Sequence, residues 1–257
     1  MDDQLLEGGY IQHNMQIKSK PIKNKDPLIS IIIPLYNEED SIGNVIKSIP
    51  NHQNLEILVV DDGSTNKSIE RVKEINRKNV YIFKLKYNKG YGYAILTGLR
   101  YSNGDIIITM DSDGQHDPKD ISKLLKPILN NKADFTVGSQ YLGICEFQIP
   151  TYKKIGEIFV KICLKFLYNY TIHNNQNGFR AFKSKLIKYT DSIKFKGMGF
   201  TTELLFLAAS KNFSIKEIPI NAKRRKSGSS YVKVSLILKS IITIIFRYFL
   251  KKCIKKR

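Results

Sequence analysis

Five short runs rich in β-branched residues, four of them followed at once by a helical pattern, constrain the fold of this chain more than any other feature. Residues 28–33, 55–60, 80–85, 105–110 and 134–137 have the composition of strands. Residues 39–49, 66–77, 91–101 and 118–129 lie between them and carry helical spacing. Such alternation predicts an α/β fold: a mostly parallel, Rossmann-like sheet with helices on both faces and right-handed crossovers. Ligands then gather at the carboxyl ends of the strands. With 257 residues, 42% of them apolar, the chain can build one large domain, or one domain and an appendage.

The pattern changes after Gly143. Residues 151–168 predict a helix with Ile155, Ile158, Phe159, Ile162 and Phe166 on one side and Lys154, Glu157, Lys161 and Lys165 on the other. Residues 177–182 predict a short strand or loop, 202–210 a helix, 213–220 a strand and 232–252 a closing helix. In that last helix Ser235, Lys239, Thr243, Arg247 and Lys251 recur every four residues as a narrow polar stripe in an otherwise apolar run. A membrane span needs roughly 20 apolar residues, and a mid-helix Lys or Arg costs about 2.5–3.5 kcal/mol on insertion scales. The stripe therefore predicts a helix lying in a lipid interface, with Lys255, Lys256 and Arg257 near headgroup phosphates. The competing expectation is a helix packed on the domain's own core.

The formal charge of +19 raises the prospect of nucleic acid or an anionic membrane as partner. Residues 223–257 hold twelve Lys or Arg and no Asp or Glu, so the excess collects beside the interfacial helix. An anionic membrane surface is the expected partner, and nucleic acid is not. Cys145, Cys163 and Cys253 are distant and odd in number, which predicts a reducing compartment. His13, His52, His116 and His173 show no ligand spacing. Residues 1–27 are polar and dotted with Lys, so no signal peptide is expected there, only a flexible basic tail.

Four polar clusters follow predicted strands and converge at one sheet edge. They are Pro34-Leu-Tyr36-Asn-Glu38, Asp61-Asp62-Gly63-Ser64, Lys89-Gly-Tyr-Gly92 and Asp111-Ser112-Asp113-Gly-Gln115-His-Asp117-Pro118. Two carboxylates one residue apart can share a hard divalent cation, Mg²⁺ or Mn²⁺, that keeps open positions for substrate phosphates. Each cluster also has an ordinary explanation, such as packing for Tyr36, a turn at Asp62-Gly63, or a helix cap at Asp117-Pro118. Ile95 stands where a dinucleotide fingerprint needs its third glycine, which argues against a dehydrogenase, and no P-loop motif is present.

Together these clusters resemble glycosyltransferase family 2, in its dolichol-phosphate mannose synthase-like branch, over about residues 28–230. The resemblance extends through Gly104-Asp105, Val137-Gly-Ser139-Gln140-Tyr141, Gln176-Asn-Gly178-Phe179-Arg180 and Glu217-Ile-Pro219-Ile220. It implies a GT-A fold with a nucleotide-sugar half at 28–143, an acceptor half at 144–231 and a membrane-interface helix with basic tail at 232–257. It implies that Pro34, Tyr36, Glu38 and one of Asp61 or Asp62 line the nucleoside pocket. Asp111, Asp113 and Gln115 look like the metal and diphosphate residues. Lys89, Ser112, Gln140, Arg180 and Arg225 complete the expected substrate surface. Three positions depart from the family pattern. Gln140 replaces an Arg, Asn174-Asn-Gln-Asn177 replaces a run with Asp, and Tyr231 stands where a late Lys is usual, with Lys233 close by.

The implied reaction is inverting transfer of a hexosyl unit from a nucleotide-diphosphate sugar, GDP-mannose or a UDP-hexose, to a polyprenyl (dolichyl) phosphate at the cytoplasmic membrane face. A phosphate monoester, with a second pKa near ~6, is already an anionic nucleophile at neutral pH. A sugar-hydroxyl acceptor on a glycan or cell-wall polymer is the rival expectation and requires a base. Glu203, at a predicted helix start, is the candidate for it, although a helix N-terminus also favours a carboxylate. A third expectation, a basic adaptor on a degenerate scaffold, gives no reason to keep Asp111, Asp113 and Asp61-Asp62 together.

Overall fold

The computed structural model describes residues 10–12, 26–225 and 234–254. His13, Tyr231, Lys233, the Lys226–Ser230 part of the late motif, the 255–257 basic end and most of the expected 1–27 tail lie outside them. In chain order the elements are β1 (Tyr10–Gln12), β2 (Ile29–Leu35), α1 (Ile42–Ser48), β3 (Leu55–Asp61), α2 (Ser68–Lys73), β4 (Val80–Lys84), α3 (Tyr91–Tyr101) and β5 (Ile106–Thr109). They continue with α4 (Ile121–Leu129), β6 (Phe135–Ser139), α5 (Thr151–Tyr168), β7 (Arg180–Lys183), α6 (Phe200–Ser210), β8 (Ile215–Pro219) and α7 (Val234–Ile254).

All eight strands form one sheet in the order β1-β4-β3-β2-β5-β7-β6-β8. The pairs β4-β3, β3-β2, β2-β5 and β6-β8 are parallel, while β7 runs antiparallel to both β5 and β6. The division expected at residue 143 does not break the sheet, because β7 threads back between strands of the first part. Tyr10–Gln12, expected as tail, instead pairs antiparallel with β4 and covers that sheet edge.

Central strands buried on both faces read as continuous apolar runs, and β2 and β3 bury nearly every residue. Ile31, Ile33, Ile57 and Val59 face α1, α2 and α4, while Ile32, Leu58, Val60, Phe135 and Val137 face α3, α5, α6 and α7. A Cβ at Gly98 would collide with the Ile32 side chain, so glycine lets α3 lie close against β2. Asp117 caps the turn that leads into α4, accepting from the Lys119 N–H at 3.0 Å, with Pro118 next to it.

The expected amphipathic helix α5 is present, but the side expected to be apolar is the exposed one, and Glu157 of the expected polar side is buried. It buries Glu157, Val160, Leu164 and Leu167 and exposes Ile155, Ile158, Phe159, Ile162 and Phe166, the last at 76%. Helix α7 packs Ile241, Ile244 and Tyr248 onto the core shared with α5 and α6, which matches the competing expectation for that helix. Its other side leaves Leu238, Ile242, Phe246, Phe249, Leu250 and Ile254 exposed. Among the described residues no helix is long and apolar enough to cross a membrane.

Asp134 ties the start of β6 to its neighbours. Its carboxylate meets Lys183 and Lys185 at 3.0 and 2.9 Å and accepts from the Ser214 hydroxyl at 3.0 Å. Partial burial pulls its proton affinity upward, but Lys185, Lys183 and Ser214 outweigh this and hold the carboxyl well below its ordinary range. A depressed carboxylate contributes stability above the unfolded-state pKa of about 4, and that stability is lost as the pH falls. Asp134→Asn is expected to cost about 2 kcal/mol at pH 7. Urea unfolding should show the two proteins converging as the pH drops below about 3.

Candidate active site at the carboxyl edge of the sheet

From β2 the chain steps through β3 to β4 on one side, then returns to place β5 on the other side of β2. The carboxyl ends of β2 and β5 therefore flank a topological switch point, where α/β sheets bind ligands. Pairing of β5 with β2 ends at Ile32↔Thr109, while β2 runs on against β3 to Leu35↔Asp61. The strands part there, and residues 36–38 and 111–113 stand on opposite lips of the crevice. Pro34 lies past the last residue paired with β5, where its missing N–H interrupts no ladder to that strand.

The lips are cross-braced. The Asn37 N–H donates to Ser64 Oγ at 2.9 Å, and Asn37 Oδ1 accepts from the Thr65 N–H at 2.8 Å. The Ser41 hydroxyl donates to the Ser112 carbonyl at 2.8 Å, which joins the two sides. Ser112 itself is buried. Tyr36 is half-buried at the end of β2.

The two adjacent aspartates after β3 have separate tasks. Asp62 accepts from the Lys89 N–H at 2.7 Å on one oxygen and from the Gly90 N–H at 2.8 Å on the other. Each oxygen accepts one backbone N–H, so Asp62 fixes the loop before α3. Asp61 accepts from the Ser64 N–H through Oδ1, and its buried Oδ2 has no hydrogen-bond partner among the described residues. Burial pushes the proton affinity of both carboxyls up. The Lys89 ammonium lies 4.7 Å over the Tyr93 ring and 5.0 Å over that of Tyr87.

Asp111 and Asp113 follow β5 as expected. Burial raises the proton affinity of Asp111, His116 opposes the rise and Asp113 adds to it. Burial also raises Glu38; Arg225 opposes this, while Asp113 and Asp111 reinforce it. Three like charges thus face one another, with Arg225 paired to Glu38. Asp111 Oδ1 is buried without a hydrogen-bond partner among the described residues, and Asp113 Oδ1 accepts from the Gln115 N–H at 3.0 Å. An orphaned carboxylate oxygen amid like charges fits a hard cation. Among the described residues no three His, Cys, Asp or Glu are grouped so as to hold a metal ion.

Several expected site residues serve the scaffold instead. Arg180 is fully buried, donating to the carbonyls of Asn177 and Asn175 at 2.7 Å each and to that of Thr201. Its guanidinium organises backbone, and burial lowers its pKa to about 10. Gln115 Nε2 points to the Lys223 carbonyl at 3.4 Å, and the Gln115 carbonyl accepts from the Lys223 N–H at 2.8 Å. It seats the 222–225 segment. Gln140 and Asn174, two of the departures from the family pattern, meet directly. The Gln140 N–H donates to Asn174 Oδ1 at 3.1 Å, and Asn174 Nδ2 donates to buried Glu157 at 2.8 Å. Glu203 is fully buried, accepting from the N–H groups of Lys194 and Phe195 and pairing with Arg247. A base must reach the proton it removes, and Glu203 has both oxygens engaged inside the protein.

Three further residues belong to the site. The Tyr91 hydroxyl hydrogen-bonds Asp111, which with burial raises the phenol well above its ordinary pKa. The His116 ring stacks on Phe179, and its Nδ1 accepts from the Asp111 N–H at 3.3 Å. Lys153, half-buried on the first turn of α5, is close enough to lower the proton affinity of both Asp111 and Glu157. Its i, i+4 spacing to Glu157 was the available sequence signal. The signal was hidden because that side of α5 looked like the solvated one.

Comparison with known proteins fixes the family of this α/β sheet with an acidic crevice at its switch point. Residues 30–190 match the sequence model described as Glycosyl transferase family 2. The UDP-N-acetylglucosamine–dolichyl-phosphate N-acetylglucosaminyltransferase of Methanococcus voltae is 36% identical over 214 residues, covering 76% of this chain and 85% of its own. The dolichol-phosphate mannosyltransferase of Pyrococcus furiosus is 31% identical, covering 80% of this chain and 59% of its own. Crystal structures of glucosyl-3-phosphoglycerate synthase from Mycobacterium tuberculosis share the fold, one with a TM-score of 0.69 at 20% identity over 86% of this chain and 81% of that one. The chain belongs to glycosyltransferase family 2 and has its GT-A fold.

Gly178 forms the floor beside the aspartates. A Cβ there would lie 2.5 Å from Asp111 Oδ1 and 2.7 Å from the Tyr91 hydroxyl. Gly178→Ala is expected to weaken binding of Mn²⁺ with a nucleoside diphosphate at least ten-fold while circular dichroism stays native. Unchanged affinity by calorimetry would refute this account of the floor.

Proposed function

We propose that this glycosyltransferase moves a hexosyl unit from a nucleotide-diphosphate sugar to a polyprenyl phosphate presented at a membrane surface. The observation that carries the donor side is the orphaned oxygen of Asp111 beside Asp113 at the switch point. Asp111 and Asp113 would hold Mg²⁺ or Mn²⁺, which when bound stabilises the charge on the departing nucleoside diphosphate. The unpartnered oxygen of Asp61 suits an N–H of the base, and Tyr36 suits its ring face. Arg225, paired with Glu38, lies across the crevice from Asp113 and is suited to turn toward a diphosphate. Relatives named for UDP and for dolichyl phosphate support both substrate classes. Structural neighbours solved with Mn²⁺ or Mg²⁺ and UDP support the ion.

On the acceptor side, a lipid phosphate is already anionic and needs no base, in keeping with the enclosure of Glu203. Lys153, near Asp111 and Glu157, supplies a cation on a chain in which Gln140 stands for the family's usual Arg. The exposed apolar sides of α5 and α7 suit the interfacial zone of a bilayer. Lys154, Lys161, Lys165, Lys239, Lys251 and Lys252 border them, each worth about 1 kcal/mol near an anionic surface. Such docking brings the acceptor phosphate to headgroup depth while the donor stays in water, at what we assign as the cytoplasmic face.

Asp111→Asn and Asp113→Asn are each expected to lower transfer of radiolabelled sugar to polyprenyl phosphate by about 10²–10³-fold, assayed across UDP- and GDP-sugars with Mn²⁺. Full turnover in either variant would remove the cation site. Separately, the protein should float with anionic liposomes, and Ile158→Glu with Phe166→Glu should abolish flotation. Flotation that survives this double change would place docking elsewhere.

A further inference from the structure

Glu203, which does not face the crevice, is linked to it through short contacts. It stands in the first turn of α6 and accepts from the Lys194 and Phe195 N–H groups at 2.9 and 2.8 Å. Its other oxygen pairs with Arg247 of α7, whose second nitrogen donates to the Ser192 carbonyl at 2.7 Å. Residues 192–195 are thus gripped by one buried acid and one arginine. The next residue, Lys196, accepts from the Tyr93 N–H through its carbonyl at 2.9 Å.

That carbonyl lies against the start of α3. A Cβ on Gly90 would lie 3.0 Å from the Lys196 oxygen, and one on Gly92 2.8 Å from it and 2.5 Å from Phe200 Cβ. Residues 89–91 are the same ones that Asp62 fixes through two N–H groups and that bring Tyr91 to Asp111. A continuous path of direct contacts therefore runs from Arg247 through Glu203 and the 194–196 segment to the loop whose Tyr91 hydroxyl lies beside Asp111 at Gly178. Buried ion pairs add little net stability, yet removing one partner leaves an uncompensated charge. Such a pair suits fixing geometry better than adding stability.

We propose that Glu203 and Arg247 are a positioning pair that couples the order of the donor loop to the seating of α7 on lipid. The inference rests on the donor site and on the docking surface proposed above. Lipid contact with the exposed side of α7 restrains the helix that carries Arg247. The restraint passes through Glu203 to the turn that presents Lys89, Gly90 and Tyr91.

The test is calorimetric binding of UDP or GDP, whichever the wild type takes, with Mn²⁺, in the absence and presence of phosphatidylcholine–phosphatidylserine vesicles. Arg247→Gln is expected to raise Kd at least ten-fold, Arg247→Lys to recover part of the loss, and Thr243→Ala, on the same helix, to match wild type. Vesicles should tighten wild-type binding at least three-fold and leave Arg247→Gln unchanged, although that variant still floats. Wild-type affinity in Arg247→Gln, or equal tightening in both proteins, overturns the coupling. If Arg247→Gln does not fold, the wild-type vesicle arm decides alone, and absence of tightening overturns the inference. A wild type that binds neither nucleotide refutes the donor site, and one that does not float refutes docking. Either result removes the coupling through its own separate readout.

Discussion

Repulsion among carboxylates is the constraint around which the rest of this structure is arranged. Glu38, Asp61, Asp62, Asp111 and Asp113 gather at the edge where β2, β3 and β5 end, and burial raises the proton affinity of the first four. Each charge is met differently. Asp62 has two backbone N–H donors, Glu38 has Arg225, and Asp111 has Tyr91 and His116. What stays uncompensated, one oxygen on Asp61 and one on Asp111, is what remains available to a ligand. Unsatisfied buried acceptors are costly, and here they occur where a base N–H and a divalent ion can satisfy them.

A second constraint comes from two solvents. Helix α5 turns Glu157 inward, where Tyr141 and Asn174 hold it, and leaves five large apolar side chains outside. The arrangement makes sense if the outer face meets lipid, and the inner face then contributes Glu157 and Lys153 to the acceptor side of the crevice. One helix would in this way serve lipid on one side and the polar site on the other.

Much of this was legible from the chain. Strand and helix alternation located the sheet edge, and Asp111-Ser-Asp113 marked the crevice, because post-strand acids in an α/β sheet must fall on one edge. Individual roles were less legible. Nothing in Asp61-Asp62 says which carboxylate turns inward to the loop, since that depends on the path of residues 89–90 from a distant part of the sequence. Arg180 and Glu203 carry charges that suggest chemistry, yet their partners are backbone groups, which sequence spacing does not display. Residues 177–182 read as a short strand or a loop, and nothing in them showed that β7 runs antiparallel between β5 and β6.

That inserted strand bears on how the chain reaches its fold. β5 ends at residue 109, but its outer neighbour β7 begins at residue 180, and β6, made between them, has no partner on that side until β7 arrives. During synthesis at roughly 5–20 residues per second, two open strand edges wait for several seconds. Open edges are templates for mispairing, and such long-range closure is slow. The Ile- and Val-rich core that makes the donor crevice rigid therefore also makes this chain depend on whatever shields its nascent edges.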